Sequence, residues 1–325
     1  MYDIELRTNA VSISNFDRCV IKQSVYQLAN SAAFYIFRKE IDDLKAIKAA
    51  LKVGDEVKVL ISDKVALCGF AAAVDKGYYQ GKPSLVIKVN SPASVLLDAS
   101  VPGLCLKAVE AAEIVRRVVE PFGVEFNNLS KKKAVLPYFA ISAADKADEV
   151  LQKIARLSDT LIYSDESGAL VMADRCTDRF AGSVLATGEN VVDIHTFNNV
   201  YKNFGKTVLA AQLPFDDDTS LDAAVNTVFA AKTTGENNRR YFDFTDIATN
   251  ERLNAKAAEL FNESYDLDVT GTSFFDVSGD LYRLNSAIRI KDEWLELDDG
   301  YRIVELLLDE GEKTTTTTLK LEVME

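Results

Sequence analysis

Two stretches of this chain carry the same antiparallel grammar, and that restricts the fold more than any other feature. The first reads Gly54-Asp55-Glu56-Val57-Lys58-Val59-Leu60-Ile61, turns at Ser62-Asp63-Lys64, continues Val65-Ala66-Leu67-Cys68-Gly69-Phe70 and closes with Ser84-Leu85-Val86-Ile87-Lys88-Val89. The second reads Ala287-Ile288-Arg289-Ile290-Lys291-Asp292, continues Tyr301-Arg302-Ile303-Val304-Glu305-Leu306 and closes with Thr318-Leu319-Lys320-Leu321-Glu322-Val323. Side chains alternate along each stretch, so each meander has one face for a core and one for water. A duplicated β-module gives this pattern, and so do two unrelated meanders. The duplicated reading predicts an α+β protein. Two small β-barrel-like domains flank or enclose a small α/β domain, with limits at 1–97, 98–175 and 176–325.

At 325 residues and 48% hydrophobic composition, the chain has room for two or three cores. No run approaches the roughly 18 consecutive apolar residues of a membrane span. The start, Met1-Tyr2-Asp3-Ile4-Glu5-Leu6, is acidic and strand-like, without a basic leader. These features predict a soluble protein made in a cytoplasm, with no membrane insertion. The net charge of −13 excludes a nucleic-acid binder that works by neutralising phosphates. The run Lys131-Lys132-Lys133 is too short to reverse it and reads as a solvated loop. An acidic surface can still let a polyanion slide past without holding it.

Residues 1 to about 40 read as strands, with 19–26 and 33–37 the clearest, and 41–51 place Leu44, Ile47 and Leu51 on one helical face. The pattern then changes. A helix is expected over 106–120, carrying Val109, Ala112, Ile114, Val115, Val118 and Val119. Pro121 ends it and Gly123 opens a strand at Val124-Glu125-Phe126. Ser142 with Asp145 has the spacing of a capping box, before a helix burying Ala147, Val150, Leu151 and Ile154. A hairpin follows, 160–163 and 169–172 around Asp165-Glu166-Ser167-Gly168. Beyond 176 a strand is expected at 191–195, with a partner at 207–210. Residues 214–238 read as a long exposed excursion and 249–263 as a helix, and the threonine run 314–318 suits an edge strand.

The chemistry-bearing residues are sparse. The single histidine, His195, excludes any two-His metal motif, and its alternating neighbours favour a hydrogen-bonded structural role. The run Gly77-Tyr78-Tyr79-Gln80-Gly81-Lys82 has one residue too few for a phosphate loop, with Pro83 where Ser or Thr would hold magnesium. It reads as a hairpin tip. Asp216-Asp217-Asp218 with Asp222 lacks the spacing of a calcium loop. Asp298-Asp299 and Asp42-Asp43 are unspecific. Cys19, Cys68, Cys105 and Cys176 are scattered, with no CxxC pair, and read as reduced packing residues. No catalytic, cofactor or metal site is expected, and no cofactor.

Taken together, the order of elements resembles the baseplate hub proteins of contractile-tailed phages, especially the Mu-type tail protein. The resemblance rests on the module from Gly54-Asp55-Glu56-Val57 through Gly69-Phe70 to Leu85-Val86-Ile87-Lys88-Val89, and on Ser91-Pro92-Ala93-Ser94-Val95-Leu96-Leu97-Asp98-Ala99-Ser100. It rests also on Glu120-Pro121-Phe122-Gly123-Val124 and the last meander with Trp294. The chain departs from the family at Asn90-Ser91-Pro92, where a Gly-rich link is usual, and at Ala99, where Cys is usual. The resemblance implies a non-enzymatic homotrimer, a ring that joins a sixfold tail tube protein to a threefold central spike protein and lets DNA pass without specific binding. It further implies a place in the virion tail baseplate, after assembly in the host bacterial cytoplasm, and relates the chain to the hub part of type VI secretion spike proteins. The 214–238 excursion and the 314–318 strand are the expected contact surfaces. A soluble β-rich module that binds carbohydrate or peptide is the alternative, and a cell-wall hydrolase the third reading.

Overall fold

A computed structural model describes residues 2–14, 16–37, 39–176, 183–187, 189, 191–197, 206–212, 227–233, 240–244, 266–271, 273–276, 278–312 and 314–324. The first part contains β1 (Ile4–Arg7), β2 (Ser12–Ile13), β3 (Arg18–Ser24), β4 (Ser31–Ile36), α1 (Ile41–Ala50), β5 (Glu56–Ile61), β6 (Lys64–Tyr79) and β7 (Lys82–Asn90). The middle contains β8 (Leu104–Glu110), α2 (Ala111–Val119), β9 (Phe126–Asn128), β10 (Val135–Ile141), α3 (Ala147–Ser158), β11 (Leu161–Ser164) and β12 (Leu170–Ala173). The last part contains β13 (Ser183–Ala186), β14 (Val191–Phe197), β15 (Lys206–Gln212), β16 (Thr227–Thr233), β17 (Arg240–Phe244), β18 (Asp266–Gly271), β19 (Ala287–Asp292), β20 (Leu297–Gly311) and β21 (Thr315–Val323). The protein is mostly β with few helices.

The repeated meander is a structural repeat. In both copies a short strand leads into a long one and then a nine-residue one, β5–β6–β7 and β19–β20–β21. Each long strand carries one extra residue against its successor, Ala72 in β6 and Val304 in β20. Such a bulge bends the strand and lets its two halves serve different neighbours. The hydrogen bonds just before the bulge also match. Gly54 N–H donates to Ala71 O and Asp55 O accepts from Ala71 N–H, while Asn285 N–H donates to Ile303 O and Ser286 O accepts from Ile303 N–H. Gly54 and Asn285 both adopt positive φ, +93° and +56°, as this turn requires of Gly or Asn. Strand order extends the match. One module runs β3-β4-β7-β6-β5-β1 and the other β14-β18-β21-β20-β19-β13. Only the last pairing differs, since β1 is antiparallel to β5 and β13 parallel to β19.

The expected pair of separate barrels is corrected by one pairing. β20 hydrogen-bonds β3 from Glu305↔Ser24 to Gly311↔Arg18, so both modules share one thirteen-stranded sheet among the described residues. The sheet ends in β14 on one side and β2 on the other, and neither module closes into a barrel there. Leu308 of β20 lies in the core of the first module, beside Ile21, Phe34 and Ile87. Arg18 grips Asp309 across the seam with two bonds, 2.9 and 2.6 Å.

Glu310 lies buried on the same strand, and its Oε1 accepts the Tyr2 N–H at 2.8 Å. Burial holds its carboxyl above the usual 4.5, against the opposing effect of that N–H. A carboxyl raised on folding costs nothing below its unfolded value. Stability is then lost as pH rises through the folded value. Glu310→Gln keeps the acceptor and removes the charge. Its melting temperature should match the parent near pH 4 and exceed it increasingly towards pH 7. A constant difference across that range would refute the assignment.

Several expected elements shift. The helix predicted over 106–120 begins only at Ala111, because 104–110 alternates as strand β8 and pairs with β10. Val109 is therefore on a strand. Ser142 and Asp145 do not cap α3. They close a turn on each other (Ser142 N–H to Asp145 Oδ2, 2.8 Å), and the helix starts two residues later behind Lys146. β14 pairs with β18, not with 207–210, which lies in a separate sheet with β16 and β17. The threonine run is an edge only over Thr315 and Thr316, which pair with β20 alone among the described residues, while β18 covers Thr317 and Thr318. β21 sits between β18 and β20, and Thr317 is buried. Strand β16 falls within the expected excursion. The rest of that segment, Asp216–218 and Asp222 included, and the 249–263 helix lie outside the described residues.

Candidate assembly site

Three bodies meet at one joint, and it is built largely by residues of ordinary polarity. β3 ends at Ser24, and Val25 N–H donates to the O atom of the bulge residue Val304 at 2.9 Å. Val25 and Val304 pack with Leu161, Tyr163, Val171 and Ala173 of the β11–β12 hairpin in a small core of their own. The bulge at Val304 thus turns a fully buried side chain into the joint. Burial pushes the Tyr163 phenol up to about 12, so it stays neutral there.

A polar lock lies beside that core. Asn30 Nδ2 donates to Ser164 O at 2.8 Å, and the Asn30 N–H donates to Ser91 Oγ at 3.0 Å. Ser91 Oγ lies 3.1 Å from Ser164 Oγ, which in turn donates to Leu28 O at 2.6 Å. Asn30, Ser91 and Ser164 are all fully buried, and although Asn30 Oδ1 accepts no bond among the described residues, the bonds that are made favour one arrangement of the parts they link. Here it ties β3–β4, the end of β7 and the β11 hairpin together. Two glycines allow the close approach. A Cβ at Gly69 would lie 2.1 Å from Asn90 O. One at Gly168, whose φ is +87°, would lie 2.7 Å from Cys68 O.

The joint opens on a cleft of about 500 Å³ lined by Gln23, Lys64, Tyr163, Glu166, Asp280 and Arg283 among others. Its charges face one another: Lys64 with Asp280 at 2.5 Å and Arg283 with Glu166 at 3.5 Å. The pairs bridge the first module, the hairpin and the last part of the chain. This arrangement holds bodies together, and among the described residues no three metal-ligating side chains converge.

The residues weighed from sequence lie elsewhere. His195 is on β14, exposed, with Nε2 3.0 Å from Asp193 Oδ2. Gln80 and Gly81 form the tip of the β6–β7 hairpin with positive φ, as a two-residue turn requires. Lys132 reaches Asp159 at 2.6 Å, Asp298 pairs with Arg289 at 2.8 Å, and Asp42 with Lys45 at 3.0 Å. The four cysteines are free, Cys19 buried but Cys105 exposed, so packing does not explain Cys105. Trp294 is 90% exposed in the β19–β20 turn. Sequence reasoning missed Asn30, Ser91 and Ser164. Each sits among residues of ordinary loop composition, as Asn30 does in Gln27-Leu28-Ala29-Asn30-Ser31-Ala32, and gives no signal by itself.

Residues 93–174 match the family described as baseplate hub protein gp44-like, second domain. A search of curated proteins gives no match. Among solved structures, the 43 kDa tail protein of prophage MuSo2 from Shewanella oneidensis superposes with a TM-score of 0.81 at 18% identity, covering 99% of this chain and 98% of that one. The tail protein from Neisseria meningitidis MC58 superposes at 0.80 and 16%, covering 98% and 96%. The Escherichia coli c3393 protein, a component of the type VI secretion system, gives 0.59 at 11%, covering 98% of this chain and 76% of that one. At these identities the likeness is one of fold.

Proposed function

We propose that this chain, with its hub-like middle segment and the fold of prophage tail proteins, is a structural baseplate hub of a phage or prophage contractile tail. It works as a non-enzymatic trimeric ring between a sixfold tail tube and a threefold central spike. The observation that carries the reading is the internal repeat. Two modules of the same strand order in each chain let three chains present six similar units, which reconciles the two symmetries. Domain limits near 1–97, 98–175 and 176–325 fit this use, with the middle domain packed around a core that runs from Ala93 to Met172 and takes in Leu28 of the first part. The net charge of −13 suits a channel that passes DNA without retaining it.

The test is solution mass by light scattering after gel filtration, with negative-stain images of the same peak, alone and with the spike protein. The expected result is three times 35.8 kDa and a ring with a central hole. A chain that stays monomeric at high concentration and with the spike would overturn the reading.

A further inference from the structure

Among the described residues, the repeat leaves one strand edge and one end strand without the partner that their counterparts have. In β20, the edge that β19 occupies up to Arg302 is taken over beyond the bulge by β3. The matching edge of β6 is occupied by β5 up to Phe70 and by Gly54 and Asp55 at Ala71. From Ala73 to Tyr79 no described strand follows. Exposure records the difference: 305–311 alternates between buried and half-buried, whereas 75–79 is exposed throughout, Tyr78 at 79%. The counterpart of β3 in the second module is β14, which ends the sheet, and beyond an isolated bridge of Val191 to Thr187 its outer edge is unpaired among the described residues. A long free edge is a template for pairing with another chain.

We infer that β6 of one copy pairs antiparallel with β14 of a second copy, in the register that β20 and β3 use within the chain. This rests on the hub reading and specifies how its subunits join. The bulges equate Ala72 with Val304, and pairing through β7, β4 and β3, and through β21, β18 and β14, then carries the register across. Lys76 faces Thr196, Gly77 faces His195, Tyr78 faces Ile194 and Tyr79 faces Asp193. Tyr78 thereby covers the half-buried Ile194. The two patches differ, so the contact is heterologous and repeats until a ring closes. Lys76 stands where Leu308 stands in the internal seam, so this joint is the more polar of the two.

The experiment is oxidative cross-linking in a Cys105→Ser background. The pair Gly77→Cys with His195→Cys is expected to give covalent multimers on a non-reducing gel. Mixing the two single variants should give cross-linked dimers only. Asp75→Cys with His195→Cys keeps the same face but is two residues out of register, beyond the roughly 7 Å between Cα atoms that a disulfide spans. It should cross-link at least tenfold less. All substituted sites are exposed, and circular dichroism checks that the variants fold. An oligomer that does not cross-link at 77–195, or prefers 75–195, overturns this pairing and leaves the hub reading standing. A monomer that never cross-links overturns both.

Discussion

Gly69→Ala is expected to destabilise the protein by about 3 kcal/mol, the upper end of what overpacking costs, and to lower its melting temperature by about 6 °C. The added Cβ would stand 2.1 Å from Asn90 O and 2.7 Å from Asn90 C. Both are backbone atoms and cannot swing aside. Asn90 closes β7 and leads into Ser91, a member of the buried lock, so the displacement reaches the joint between the first module and the middle domain. Gly77→Ala is the control. Its Cβ would meet only Ser84 Oγ, at 3.4 Å, and the variant should melt within a degree or two of the parent or above it. Equal melting of the two variants in thermal circular dichroism would show that the close approach at Gly69 does not matter.

Glu322→Ala is expected to cost about 2–3 kcal/mol. Arg302 is buried on β20, its side chain 6% exposed, and pairs with Glu322 on the neighbouring β21. The Tyr26 hydroxyl also donates to Glu322, and burial with the carboxylate pushes that phenol well up. Removing the carboxylate strands a buried guanidinium, the costly way to break such a pair. Glu322 is itself 32% exposed, so water recovers part of the loss and the figure sits below the 3–5 kcal/mol of fully enclosed pairs. The double variant Arg302→Met with Glu322→Leu should recover most of it, because an apolar pair needs no partner charge. Chemical denaturation of the three proteins tests this. A double variant no better than Glu322→Ala would mean that packing, not an orphaned charge, sets the cost.

The repeat was legible because strand alternation writes itself directly into neighbouring residues: 54–61 and 287–292 announce their strands without reference to anything distant. What the residues did not announce is the reach of the long strands. Asp75-Lys76-Gly77 breaks the apolar alternation, yet β6 runs through it because β7 pairs with it to the tip. Residues 104–110 carry helix-compatible side chains, and only the pairing with 135–141 makes them a strand. The 314–318 run has edge-strand composition, but beside its hairpin partner β20 a strand more distant in sequence, β18, takes Thr317 and Thr318 inside the sheet. The joint was least legible of all. Asn30, Ser91 and Ser164 are separated by up to 134 residues, and each alone reads as an ordinary loop residue. Their role arises from meeting.

The seam between β3 and β20 also sets a clock. Ser24 and Glu305 are 281 residues apart in the chain. At ribosomal speeds of about 5–20 residues per second, β3 is made roughly 15–55 seconds before the strand that will cover it. Throughout that interval a nascent chain carries an uncovered β3 edge as well as the β6 edge, and neighbouring chains on one message carry the same edges. Every copy must complete its own seam before it meets another, or the wrong strands pair. Its yield in a cell is therefore expected to depend on how densely the message is translated, a property of the seam's span and not of its strength.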